Sequence, residues 1–444
     1  MRKRLGIAIA VAAAAAVASL LGGALSSSPK ASPLAVLAAN ALGTPEQQAL
    51  GRLLSGLSSG HTGAYIRRLE RIVARDPGDG DTLGVLGLAY QQRARETGDP
   101  AYYRLSGLAL HRAEQAGGAA ALVLQGEAAL ANTRHRFELG LRLSRRATAL
   151  DRFNGSADAA LGDALLNLGR YRSAFRVYDH MALLAPGVAS FTRIANAREL
   201  IGHPAAAAEA DRLAIESGSS VPENLAWAKV QLGNVYFNTG RLGAAAGAYR
   251  RALRSLPGYV HAEVGLARVE ASEGRYRVAA RRLRRVVDEL PIPAYVILLG
   301  DTLRASGDLR AARREYALVG AIERLFAANG VRTELQTALF ELDHDQNVAD
   351  ALRRARIAYA SAPSIYAADA VAWGLFRAGR CDEARSYSAR ALRLGTRDAL
   401  LIFHRAMIER CVRGSSARAW FGRALAVNPH FSLLWAPVAR RALR

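Results

Sequence analysis

The sequence predicts an all-α fold, a right-handed superhelical solenoid of paired helices, on three observations. Hydrophobic residues make up 51% of the chain and aromatic residues only 7%, with Ala, Leu and Arg prominent. Those residues lose little side-chain freedom in a helix. One pattern of large, small and helix-breaking residues recurs about every 34 residues. At 444 residues the chain is too long for one ordinary compact core, which favours an array of small units.

The pattern is clearest at Leu232-Gly233, Tyr236, Gly240, Ala245, Tyr249, Ala252 and Pro257. Leu232 and Tyr236 share one face of a first helix and belong to a core. Gly233 and Ala245 are small where two helices cross closely. Gly240 ends the first helix in a left-handed cap, and Pro257 stops the second. One repeat later stand Leu266, Ala267, Gly274, Ala279, Leu283 and Pro291. Leu161-Gly162, Leu165, Gly169, Ala174, Tyr178 and Pro186 precede them, and Leu299-Gly300, Leu303, Gly307, Ala312 and Tyr316 follow. Weaker copies run from a leading helix near Ala64 to Pro429, about nine to ten units in all. Ser432 to Arg444 reads as a capping helix with Ser432 at its N-cap, and the stretch from Val319 to Val331 as a helical insert or irregular turn.

This unit resembles the tetratricopeptide repeat (TPR), and the resemblance runs from about Ala64 to Leu443. It implies a concave groove lined by first helices, where a protein or peptide partner docks. At the matching positions stand Asp163, Asn167, Asn196, Asn234, Asn238, Arg268, Asp301, Arg304, Trp373, Phe376 and Arg377. Asn234 and Asn238 lie one turn apart, suited to the backbone of an extended peptide. Trp373 and Phe376 are candidate apolar anchors. Some TPR proteins clamp a C-terminal carboxylate with Lys and Asn. Val230 and Gly265 occupy those places here, which argues against a clamp.

Met1-Arg2-Lys3-Arg4 is followed by a charge-free run from Leu5 to Leu25 and then by Ser26-Ser27-Ser28-Pro29. That is the shape of a secretory signal, and the run is also long enough for an uncleaved anchor. Either way the body is expected outside the cytoplasmic membrane. The expected organisation is residues 1–26 as signal or anchor, 27–60 as flexible linker and 61–444 as solenoid.

The formal charge is +22, carried by Arg, since Lys occurs only at Lys3, Lys30 and Lys229. Second helices concentrate it, notably at Arg281, Arg282, Arg284 and Arg285. An outward basic ridge of this kind suits an anionic lipid or envelope polymer, which is the alternative function; nucleic acid is not expected. No zinc-protease motif, nucleophile elbow or phosphate loop occurs, so no catalytic residue, metal or cofactor is expected. Glu341, Asp343, His344 and Asp345 form the densest polar cluster with a histidine, at an ordinary repeat turn. Cys381 and Cys411 fall toward the same rim of neighbouring hairpins. They are either a disulfide or two separate buried thiols.

Overall fold

A computed structural model describes residues 45–57, 61–219 and 221–444. The expected signal or anchor and the linker up to residue 44 lie outside the described residues. Those residues form helices joined by short turns, with no strand among them. The helices are α1 Pro45–Gly56, α2 Thr62–Arg75, α3 Gly80–Thr97, α4 Ala101–Gln115, α5 Ala120–Thr133, α6 Phe137–Leu150, α7 Gly155–Asn167 and α8 Tyr171–Leu184. Next come α9 Val188–Leu200, α10 Pro204–Glu216, α11 Pro222–Asn238, α12 Leu242–Ser255, α13 Val260–Ser272, α14 Tyr276–Glu289, α15 Pro293–Ala305 and α16 Leu309–Ala328. The last are α17 Glu334–Asp343, α18 Val348–Ser361, α19 Ile365–Arg377, α20 Cys381–Ala391, α21 Ala399–Cys411, α22 Ala417–Val427 and α23 Ala436–Leu443. Hairpins run from α3–α4 to α21–α22, and the chain is an α-solenoid of TPR-like units.

Local chemistry sets the helix starts and stops. Asp79, Asp308, Ser364 and Asp398 cap α3, α16, α19 and α21, each accepting from backbone N–H groups two or three residues on. Gly240 and Gly274 end α11 and α13 at φ 73° and 78°, a conformation that costs a residue without Cβ little.

Within a hairpin, one packing device recurs. A Cβ placed on Gly162, Gly233 or Gly300 would lie 2.3, 2.4 or 2.3 Å from the ring of Tyr178, Tyr249 or Tyr316. The ring thus fills the room glycine leaves. Its hydroxyl then donates to the residue after the glycine: Asp163 at 2.9 Å, Asn234 at 2.9 Å and Asp301 at 2.7 Å. Tyr249 is completely buried, and its apolar ring is worth about 1.5–3 kcal/mol of burial.

The chain divides into two compact units. Among the described residues, unit 1 contains those from 45 to 164, 172–194 and 217–221. Its largest core joins Tyr65, Leu69, Leu83, Leu86 and Tyr90, with Leu50, Leu53, Leu54 and Leu57 packed against it. Those leucines correct the expected linker 27–60: helical spacing of apolar residues folds its end into α1, which leans on this core.

Unit 2 contains residues 165–171, 195–216 and 222–444. Its cores centre on Leu283 and Leu299, on Leu352 and Val371, and on Trp373, Phe403 and Phe421. The insert expected at 319–331 is a continuation of α16 to Ala328. The terminal helix begins at Ala436 rather than Ser432. The Ser432 hydroxyl instead accepts from the N–H groups of Leu434 and Trp435, closing a turn before it.

A seam runs through unit 2 between residues distant in sequence. Turn glycines Gly169 and Gly202 meet the carbonyls of Pro363 and Gly395, and Gly240 meets Asn428 and Pro429. The Tyr171 hydroxyl accepts from the N–H of Ile365 at 2.7 Å, and Asn428 Nδ2 donates to the Phe237 carbonyl at 2.9 Å. Cys381 and Cys411 form a disulfide with Cα atoms 6.0 Å apart, linking α20 to the end of α21.

Two predictions follow from these contacts. A Cβ on Gly202 would sit 2.4 Å from the Gly395 carbonyl, whereas one on Gly274 meets nothing within 4 Å, at nearly the same φ. Gly202→Ala should therefore cost about 1–3 kcal/mol more than Gly274→Ala in urea unfolding, the surplus being overpacking of the seam. Equal losses would show that the seam tolerates the methyl. The disulfide closes a loop of separation 30 and should add about 3–4 kcal/mol to the last repeats. Non-reduced peptide mapping of native-source protein should show the linked pair; two alkylatable thiols would reject it.

Candidate functional site: a walled recess in unit 2

The seam leaves a recess of about 110 Å³ where five chain segments meet. Asn196, Glu199 and Leu200 at the end of α9, with Pro204, form one side; Phe237, Asn238 and Thr239 at the end of α11 form the next. Tyr366 of α19, the loop Thr396-Arg397-Asp398 with the start of α21, and Asn428 and Phe431 complete it. Asn428 fixes the spacing. Its Nδ2 holds the Phe237 carbonyl while its Oδ1 accepts from the His430 N–H at 2.8 Å.

Two carboxylates face this space. Glu199 Oε1 accepts from Asn238 Nδ2 at 2.7 Å. Burial raises the Glu199 carboxyl above its usual range and nearby Asp398 adds to this, against the Asn238 hydrogen bond and Arg268. Asp398 Oδ1 caps α21 through the N–H groups of Leu400 and Leu401 at 2.9 and 3.3 Å. Burial raises its carboxyl too; those N–H groups and His404 oppose, and Asp369 adds. Tyr366 is 42% exposed, yet protein surrounds it closely enough that burial, then Asp398 and Glu199, drive its hydroxyl far up. A residue both reachable and walled in marks a concave surface. Thr396 is 8% exposed, and its hydroxyl makes no hydrogen bond among the described residues.

Behind Asp398 lies a buried polar core. His404 Nδ1 pairs with Asp369 Oδ2 at 2.8 Å, and the imidazole stacks on Trp373 with centroids 4.1 Å apart. Burial opposes the His404 charge, but Asp369, Asp343 and Asp398 together hold its pKa above the ordinary value. The indoles of Trp373 and Trp435 both donate to Asp343 Oδ1.

Asp211 of α10 is fully buried near Glu199, and neither carboxylate oxygen has a hydrogen-bond partner. The repeat explains it. Ala195 and Asp211 stand where other hairpins carry the glycine and tyrosine, and the short carboxyl cannot span what the ring spans. Burial, with Glu199, pushes it up to about 8.

Of the residues expected to line a groove, Asn196 and Asn238 come together at the recess. Arg268 stacks its guanidinium on Phe237, 4.0 Å from the ring centroid. The rest are placed otherwise. Asp163 accepts from Tyr178 and Arg193, Asn234 from Tyr249, and Asp301 from Tyr316 and His344. Asn167 is half-buried at the end of α7, and Arg304 is exposed at the end of α15. Trp373 is 0% exposed, and Phe376 stacks on it, so this pair is core and not an open anchor. Arg377 is spent on the Leu342 carbonyl and on Asp345. Val230 is buried, and a Cβ at Gly265 would meet the Tyr249 ring, so core packing fills the place of a carboxylate clamp.

The polar cluster at the α17–α18 turn is dispersed. His344 bonds Phe340 and Asp301, Asp343 takes the two indoles, Asp345 pairs with Arg377, and Glu341 faces Arg354. Among the described residues no group of three or more His, Cys, Asp or Glu is arranged to hold a metal ion. The basic ridge is also corrected. Arg281, Arg284 and Arg285 are exposed on α14, but Arg282 turns inward to Glu263 and Glu270 of α13.

No family model matches the chain, and no curated protein does. Among solved structures, it is similar to MamA at 19% identity over 38% of this chain and 91% of that one, with a TM-score of 0.29. A second MamA structure gives 20%, 36%, 91% and 0.29. The Cut9-Hcn1 hetero-tetramer of the APC/C gives 11% identity over 92% of this chain and 98% of that one, at 0.38. The site residues Glu199, Tyr366, Thr396, Asp398 and Phe431 were not expected from sequence. Only Asp398, an acidic residue directly before an apolar run, carries a local signal, and that signal is a helix cap.

Asp211 gives a pH prediction. Its folded pKa of about 8 exceeds the unfolded value of about 3.9, so the folded state holds the extra proton. Its contribution is intact below about pH 4 and is lost as pH rises toward 8, a change of a few kcal/mol. Asp211→Asn, which mimics the protonated carboxyl, should raise Tm at about pH 8.5 and leave it nearly unchanged near pH 4.5. Thermal melts giving parallel profiles would refute the assignment.

Proposed function

We propose that the chain is a non-catalytic protein-interaction scaffold, working outside the cytoplasmic membrane, that receives a partner protein at the recess of unit 2. One observation carries the reading. The recess is walled by aromatic and amide side chains, yet one oxygen each of Glu199 and Asp398 and the hydroxyls of Tyr366 and Thr396 have no hydrogen-bond partner among the described residues. Thr396 is buried, whereas Glu199 and Asp398 are half-buried and Tyr366 is exposed, so a partner can reach these groups. A lining of this kind is complementary to a polar group brought from outside. The basic start and charge-free run support export, and the Cys381–Cys411 disulfide fits an oxidising compartment.

The test is site-specific photocrosslinking in the native host. A benzophenone amino acid at Tyr366 should give a discrete protein adduct, and one at exposed Arg250 on α12 should not. No adduct from position 366, or the same adducts from both positions, would overturn the reading. A reporter that fluoresces only in the cytoplasm, fused after Arg444, should stay dark.

A further inference from the structure

We propose that the recess of unit 2 is a socket for an arginine side chain of the partner, with the guanidinium held by the carboxylates of Glu199 and Asp398 beside the rings of Tyr366 and Phe431. The inference rests on the scaffold reading and names the chemistry its site selects.

Hydrogen-bond accounting comes first. The Nδ2 groups of Asn238 and Asn428 already donate to Glu199 and to the Phe237 carbonyl. What remains is mixed: the second N–H of each amide and the Tyr366 and Thr396 hydroxyls can still donate, while Glu199 Oε2 and Asp398 Oδ2 can only accept when ionised. A ligand that satisfies the two carboxylate oxygens must bring N–H donors, and a guanidinium carries five in a planar fork that suits carboxylates.

Charge points the same way. On a chain of formal charge +22, the recess brings the carboxylates of Glu199 and Asp398 to one lining. Three cations stand near it. Arg268 stacks on Phe237 and also lowers the Glu199 carboxyl, His404 is paired with Asp369, and Arg397, though exposed, is a cation of the lining itself. The walls add aromatic faces from Phe237, Tyr366 and Phe431, which attract cations. Arg268 on Phe237 is a cation–π contact already made at this site.

Size excludes a bulky ligand. A volume of about 110 Å³ is well below the roughly 300–1,000 Å³ of small-molecule sites. It suits the head of one side chain, with the rest of the partner remaining outside.

The test uses the full chain and the probe peptide acetyl-Ala-Ala-Arg-Ala-Ala-amide, followed by titration calorimetry. The double variant Glu199→Gln/Asp398→Asn removes both charges while keeping the acceptors that Asn238 and the α21 N–H groups use. Helical content by circular dichroism checks that it folds. Binding should weaken about tenfold or more in the double variant, and likewise when citrulline replaces arginine in the peptide. It should also weaken near pH 5 relative to pH 7.5, as the two carboxyls take up protons. Equal binding by the double variant, or by the citrulline peptide, would overturn the socket. Tighter binding of agmatine than of the peptide would reassign it to a small free guanidine and overturn the partner side chain as its source. If the Tyr366 adduct forms equally on the double variant, the scaffold stands and the socket falls; if the parent gives no adduct, the scaffold itself falls.

Discussion

Three turn glycines pressed against three distant loops govern unit 2. Gly169, Gly202 and Gly240 come from successive hairpins, and Pro363, Gly395 and Asn428 from the loops of hairpins near the C-terminus. Both series advance by about one repeat, so once one pair is in contact the next two fall into register. Backbone meets backbone there, with no room for a Cβ at Gly169 or Gly202. The recess exists because of this register. Phe237 and Asn238 are brought to Thr396, Asp398 and Asn428, and the acceptors left facing inward belong to residues nearly two hundred positions apart.

The hairpins were legible because their causes are local. Gly162, Gly233 and Gly300 with Tyr178, Tyr249 and Tyr316 recur at one spacing, and the rule that places one pair places all. The site residues were legible only in part. Asp163, Asn234 and Asp301 were expected to face a partner, but each accepts a hydrogen bond from the tyrosine of its own hairpin. The spacing gives the position in the hairpin and not the partner. Trp373 shows the same limit from the apolar side: its position suits an anchor, while His404, Phe376 and Trp435 pack round it. Leu50, Leu53 and Leu54 were passed over because their helix lies outside the repeat and has no second copy to announce it.

Charge behaves in the same two-level way. The excess of arginine is plain in composition, and Arg281, Arg284 and Arg285 do face outward. Composition does not show that Arg282 turns toward Glu263 and Glu270. Nor does it show that the acids Glu199, Asp398 and Asp369 come near one another from three separate helices. A net count averages over the surface, whereas recognition depends on which few charges share a low-dielectric space.

The tyrosine that fills the room left by a glycine also constrains how such an array can change over generations. Enlarging the glycine alone produces a collision, and shrinking the tyrosine alone leaves a hole, so each single step is penalised although the joint step need not be. Other hairpins fill the two positions differently. Ala267 and Leu283 share the core of one, and Ala195 with Asp211 is a third solution in another. Each pair is inherited as one character written at two places sixteen residues apart, and a repeat grafted from one hairpin to another has to carry both letters with it.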